Sequence, residues 1–206
     1  EAGLTRARNG PLGVVETRDV LEKIAAQSAR AHAIIHRIHH FARQTKPQYA
    51  MVRLNDVFED IADFLNLEAR RHRIGLRYDI APDLPRVLAD ALQVQQVILN
   101  LVRNAMDAMS ANTGPEANAV TISARADPKE VKIAVRDSGS GLAPDAVDQL
   151  SYPFFTTKPD GLGLGLSLAL DYQRAQGGDL RAENHAGGGA RFILSFRRAP
   201  AQETQA

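Results

Sequence analysis

The chain has 206 residues, 44% of them hydrophobic and 24% charged, enough for one ordinary domain with a helical appendage or for two small ones. A formal net charge of +1 excludes a global electrostatic case for nucleic acid or an anionic membrane surface, and the absence of cysteine excludes disulfides and thiolate metal sites. No apolar run approaches the ~20 residues of a membrane-spanning helix and no signal peptide is visible, so a cytoplasmic setting is expected. The chain begins at Glu1 and not at Met, so any sensor or membrane segment is expected upstream.

Residues 1–18 are rich in Gly and Arg and weakly patterned. From Asp19 the pattern sharpens. Leu21, Ile24, Ser28, Ala31, Ile35, Ile38 and Ala42 step alternately by three and four, a heptad seam that Val20, Ile34 and Phe41 widen. A stripe of this width over 19–46 suits a helix in an intermolecular bundle, with a homodimer expected, in preference to a helix packed on its own domain. Lys46-Pro47 ends that helix, because proline disfavours helical backbone in the residue before it.

A second domain is expected over 48–198. "MVRL" (51–54) reads as a short strand, after which Asn55 would cap a helix with Val57, Phe58, Ile61, Phe64 and Leu65 on its inner face. "IGLRYDI" (74–80) alternates as a strand. Residues 88–109 read as one long helix, with Leu92, Val97, Ile98, Leu101, Val102 and Ala105 inward. "AVTISARA" (119–126) and "EVKIAVRD" (130–137) alternate around Asp127-Pro128 as an antiparallel hairpin. Residues 138–162, punctuated by Gly and Pro, form a long loop of the kind that carries function. A helix from about Gly163 to Gln176 follows, stopped by Gly177-Gly178, and a last hairpin turns at Gly187–Gly189. The tail 199–206 has a disordered composition. The elements imply a two-layer α/β sandwich, a mixed sheet with helices on one face.

Four short motifs carry chemistry. Gly161, Gly163 and Gly165 stand before a helix, where backbone N–H groups can face an anion and no Cβ blocks its approach. They form neither a P-loop, since no Lys-Ser/Thr pair follows, nor a dinucleotide fingerprint, since no strand precedes them. Asn100 and Asn104, at i and i+4, share a polar helix face on which an amide carbonyl can hold Mg²⁺. Asp137 begins "DSGSG" at a strand end, where a carboxylate can accept the exocyclic amine hydrogens of adenine; Gly139 and Gly141 let the chain turn close by. Each of these also has a bland reading: a hinge, two backbone-capping amides, a β-turn. "YPFFTTKPDG" (152–161) sets aromatics in a Gly/Pro-rich loop, as a lid would, with Thr156, Thr157 and Lys158 able to reach phosphate.

In this order and spacing the motifs resemble the N, G1, F and G2 boxes of the sensor histidine kinase catalytic domain. That ATP-binding fold is shared with gyrase, the Hsp90 chaperone and the MutL mismatch-repair protein. The resemblance spans about residues 48–198 and implies a Bergerat sandwich binding Mg·ATP under a lid. It implies that Asn104 is the Mg²⁺ ligand and Asp137 the adenine reader, and that Gly139 and Gly141 shape the base pocket. It places Phe155, Thr156, Thr157 and Lys158 in the lid, and Gly161, Leu162, Gly163, Leu164, Gly165 and Leu166 around the phosphates. Arg103 and Asp107 complete the nucleotide contacts, and Asn100, Asn104 and Lys158 form the catalytic set. The short linker from Lys158 to Gly161 is similar to the nitrogen-regulation and C4-dicarboxylate-sensing branch.

The implied reaction is phosphoryl transfer from Mg·ATP to a His and then to an Asp of a response regulator. Where gyrase and Hsp90 carry a water-activating Glu, this chain has Asn100, and an amide is no general base at neutral pH. Helix 19–46 resembles the second helix of the family's dimerization hairpin. The first should carry His-Glu-x-Asn-x-Pro-Leu, but "RARNGPL" (6–12) has Arg6 and Ala7 in place of His and Glu. The phosphoacceptor helix is therefore absent or rebuilt, and this chain alone is expected to bind ATP without phosphorylating itself. His32, His36, His39 and His40 read as a solvated basic face in preference to a metal site or a substitute acceptor. A degenerate nucleotide-binding scaffold, or a gyrase- or MutL-like ATPase, are the alternatives.

Overall fold

A computed structural model describes residues 47–109, 118–143 and 165–198. The chain divides into two units, Glu1–Pro47 and Gln48–Ala206. Segment 1–18, the expected helix 19–46 and the tail 199–206 lie outside the described residues.

Strand β1 (Ala50–Val52) leads into helix α1 (Leu54–His72), then β2 (Gly75–Ile80), β3 (Val87–Ala89) and helix α2 (Ala91–Ala108). The second half comprises β4 (Ala119–Ala126), β5 (Glu130–Arg136), helix α3 (Gly165–Ala175), β6 (Asp179–Asn184) and β7 (Ala190–Arg197). The main sheet has five strands in the order β2-β4-β5-β7-β6. Only β2 and β4 run parallel; every other neighbouring pair is antiparallel, so the sheet is mixed as the sequence implies.

Period-two alternation decides which face is covered. Ile122 stands opposite Val135, which stands opposite Phe192; Ala124, Ile133 and Leu194 form the next row. All six are buried. Against this face α1 brings Leu54, Val57, Phe58, Ile61 and Leu65, and α2 brings Val97, Ile98, Leu101, Val102 and Ala105, in one continuous cluster. Each such side chain contributes about 1.5–3 kcal/mol on burial, so the helices are fixed to the sheet by apolar area. Thr121, Ser123, Lys132 and Ser195 alternate onto the other face.

Three expectations need correction. Asn55 caps nothing. The chain turns helical directly after β1, so Arg53 holds the N-cap position, without a side-chain cap bond. Asn55 already lies in the first turn, and its Nδ2 donates to the Ala81 carbonyl at 3.1 Å. The run 88–109 is not one helix. Val87–Ala89 forms β3, antiparallel to β1 with Val52 opposite Val87, and α2 begins only after Asp90. Asp90 caps it, its Oδ1 accepting from the Leu92 and Gln93 N–H groups at 3.0 and 3.2 Å. Phe64 and Leu92 were expected inward and are 48% and 61% exposed. At 100° per residue Leu92 lies about 160° round the helix from Val94, on the side away from the core. Phe64 sits at the margin of its stripe. Helix α3, described from Gly165 to Ala175, stops ahead of Gly177, which takes a left-handed conformation at φ +72° as the sequence implies; the expected start at Gly163 lies outside the described residues.

Candidate active site

Asn100, Arg103, Asn104 and Asp107 occupy positions i, i+3, i+4 and i+7 of α2 and therefore form one stripe. The opposite stripe is the buried one, so packing against the sheet turns the polar stripe outward. Asn100 and Asn104 are half-buried, while Arg103 and Asp107 are exposed. The Asn100 Nδ2 is shielded from solvent and meets no hydrogen-bond partner among the described residues. A buried donor of this kind is costly unless something accepts from it.

Asp137 follows the last residue of β5 and is 3% exposed. A carboxylate this deep is costly unless it is hydrogen-bonded. Its Oδ1 accepts from the Gly139 N–H at 2.8 Å and from the Ala190 N–H at 3.0 Å, and its own N–H donates to the Ala190 carbonyl at 3.0 Å. No described residue donates to Oδ2. The side chain is thus gripped through one oxygen, leaving the other as an acceptor without a described donor.

Glycines make this grip sterically possible. A Cβ on Gly139 would lie 2.9 Å from the Ala108 carbonyl oxygen and 3.0 Å from Asp137 Oδ1. Gly189, at φ +82°, comes closer still: its Cβ would sit 2.0 Å from the Asp137 carbonyl oxygen. Sequence reasoning took Gly187–Gly189 only as a hairpin turn and missed the third one's contact with Asp137. Gly141, at φ +77°, leaves room for the Asn184 amide: a Cβ there would meet Asn184 Oδ1 at 2.8 Å.

Helix α2 touches both glycine motifs, Gly139 at the Ala108 end and Gly165 at Asn100. The Asn100 amide occupies the space a Gly165 side chain would need, with its Oδ1 2.5 Å from the position of a Cβ. Leu166 is half-buried and packs on the core. Of the expected site residues, Asn100, Arg103, Asn104, Asp107, Asp137, Gly139, Gly141, Gly165 and Leu166 are thus placed. Phe155, Thr156, Thr157, Lys158, Gly161, Leu162, Gly163 and Leu164 lie outside the described residues. Among the described residues no three His, Cys, Asp or Glu side chains cluster as a metal site. A Mg²⁺ ion here would depend on amide and phosphate oxygens.

A mixed sheet roofed by helices, with a stripe of amides on one helix and a buried carboxylate at a strand end, defines a two-layer α/β sandwich with a polar site. Residues 89–200 match the family of histidine kinase-, DNA gyrase B-, and HSP90-like ATPases, and the chain belongs to it. Its relatives are sensor kinases. The chain is 35% identical over 88% of its length to the sensor protein FixL of Bradyrhizobium diazoefficiens, and 32% identical over 87% to the C4-dicarboxylate transport sensor protein DctS of Rhodobacter capsulatus. The matches span 35% and 27% of those proteins, so the chain corresponds to about a third of their length or less.

Solved structures agree. The catalytic domain of histidine kinase ThkA superposes with a TM-score of 0.64 at 27% identity, covering 74% of this chain and 99% of that one. Full-length ShkA in complex with AMPPNP gives 0.72 at 26% identity, over 97% of this chain and 43% of that one. ThkA in complex with the response regulator TrrA shares the fold, at 0.73 and 23% identity over 97% and 56%. The chain thus carries the ATPase domain of this family and is similar over most of its length to the corresponding part of sensor proteins.

Proposed function

We propose that the domain binds Mg·ATP with adenine on Asp137 and supplies the γ-phosphoryl group to a histidine, from which it passes to an aspartate of a response regulator. The observation that carries this reading is Asp137. Its Oδ2 faces no described donor while Oδ1 is saturated, so it is a fixed acceptor for an exocyclic N–H. Gly139, without a Cβ, lets its backbone close on Oδ1 and so fixes the carboxylate. Asn104 is the proposed Mg²⁺ ligand, and Arg103 and Lys158 are proposed to contact phosphate.

The orphaned Asn100 Nδ2 fits the group proposed to bind: a phosphate oxygen would satisfy it. Mg²⁺, when bound, would neutralise charge on the phosphate oxygens. The chain's own residues hold and orient; none of the placed amides can take a proton from water. Slow hydrolysis and transfer to a protein side chain follow. Catalysis of this class is mostly positioning and charge neutralisation. With Arg6 and Ala7 where a His box would have His and Glu, we propose that this chain does not label itself. The response-regulator partner is proposed by analogy with ThkA and TrrA.

Calorimetry with ADP, with and without Mg²⁺, tests the reading on this chain and on Asp137→Asn. The substitution keeps Oδ1 but turns the second oxygen into a donor facing a donor. We expect parent binding that Mg²⁺ strengthens and a loss on the order of a hundredfold in the variant. Equal binding by both would remove Asp137 as the adenine reader. A supplied dimerization hairpin with an intact His box should become labelled from ATP; failure to label it would leave a nucleotide-binding scaffold.

A further inference from the structure

We infer that Asn184 is a positioning residue of the adenine pocket, acting through the loop that leaves Asp137; this rests on the nucleotide reading above. Asn184 is the last residue of β6. Its Oδ1 accepts from the Leu142 N–H at 2.7 Å, and its Nδ2 donates to the Leu142 carbonyl at 2.8 Å. One amide therefore satisfies both backbone groups of a single residue lying 42 positions away. Only Asn or Gln offers a donor and an acceptor side by side, and a local turn cannot supply this pairing at such a separation.

The clamp has a built receptacle. Gly141 stands just before Leu142 in a left-handed conformation, and any Cβ there would collide with Asn184 Oδ1. The same hairpin holds the other end of the loop. Ala190, the strand partner of Asn184, donates its N–H to Asp137 Oδ1. Two bonds close the turn between them: His185 N–H to the Gly189 carbonyl and Gly188 N–H to the His185 carbonyl, both 2.9 Å. The loop from Asp137 to Leu142 is thus gripped at both ends by the β6–β7 hairpin.

Asn184 touches no reacting atom. It fixes where the loop beside Asp137 lies, and so how sharply the pocket separates an amine from a carbonyl at the same place on the base. Asp137 Oδ2 attracts the adenine amine and repels the guanine carbonyl, provided the pocket wall cannot shift.

The test compares ADP and GDP affinities by calorimetry for the full chain, Asn184→Ala and the near-isosteric Asn184→Asp. Two exposed hydrogen bonds correspond to about a tenfold weakening of ADP binding. We expect this in both variants, with the ADP-to-GDP ratio narrowing by a similar factor and the melting temperature nearly unchanged. Asp should fail like Ala, because it keeps the shape and loses the donor. Parent-like affinity and ratio in both variants would overturn the inference. So would equal weakening of ADP and GDP in step with lost melting temperature, which is what a merely structural role gives. A parent chain that binds neither nucleotide would overturn the nucleotide reading itself, and this inference with it.

Discussion

Gly165 at the start of α3 and Asn100 on α2 fill one another's space: a Cβ on Gly165 would lie 2.5 Å from Asn100 Oδ1 and 2.8 Å from its Nδ2. The contact yields a prediction whose sign depends on background. Gly165→Ala alone drives the Asn100 amide out of place, offsetting the gain of about 1 kcal/mol that Ala brings to a helix. The single variant should be no more stable than the parent and should lose ADP affinity. In an Asn100→Ala background the obstacle is gone, and Gly165→Ala should stabilise by about 0.5–1 kcal/mol. Urea unfolding of the four proteins measures the coupling; additive effects would mean the two residues are independent.

Gly189 admits no such escape. Its missing Cβ faces backbone, 2.0 Å from the Asp137 carbonyl oxygen, and its φ of +82° strains any L side chain. Backbone cannot rotate aside as a side chain can. Gly189→Ala should cost more than about 3 kcal/mol in stability and abolish ADP binding. A variant that unfolds within about 1 kcal/mol of the parent would show that the hairpin has room to relax.

These two glycines mark how far the sequence was legible. Strand β4 runs from Ala119 to Ala126, the bounds its alternation implies, because each residue there is either core or open face. The stripe of Asn100 and Asn104 follows from helix period alone, as does the buried set on the other side of α2 apart from Leu92. β3 was not legible. Three residues, Val87–Ala89, run directly into an apolar helix, and only pairing with β1 separates them. Asn184 and Ala190 were invisible for a related reason. Their partners Leu142 and Asp137 lie 42 and 53 residues away, and no local pattern encodes a contact made by sheet order. The glycine at 189 was seen, but a turn accounted for it, and nothing in the sequence pointed to Asp137 behind it.

Gln173 offers a stability gain away from the site. It is 1% exposed on α3, and its Oε1 is buried with no partner among the described residues. An unmet buried acceptor costs about 1–3 kcal/mol. Gln173→Met keeps the length and unbranched shape without that atom. It should raise stability by about 1 kcal/mol and the melting temperature by about 2–4 °C in thermal unfolding. A lowered melting temperature would mean that the oxygen has a partner, such as a buried water, in solution.

The β4–β5 turn makes folding stability depend on acid. The Lys132 ammonium hydrogen-bonds Asp127 at 2.9 Å, and the N–H groups of Lys129 and Glu130 both donate to its Oδ1 at 2.8 Å. These bonds, led by the one from Lys132, hold the Asp127 carboxyl down from 3.8 to about 2. A carboxylate whose pKa falls on folding stabilises the native state at any pH above its unfolded value and loses that contribution as pH drops through the folded one. Asp127→Asn should therefore be less stable than the parent at pH 6, by a small margin because solvent reaches and screens the partly exposed pair. The gap should close between pH 4 and pH 2, as the parent's carboxyl takes up its proton. Urea unfolding of both proteins across that range measures it. A gap that persists unchanged at pH 2 would mean the turn depends on the shape of the side chain and not on its charge.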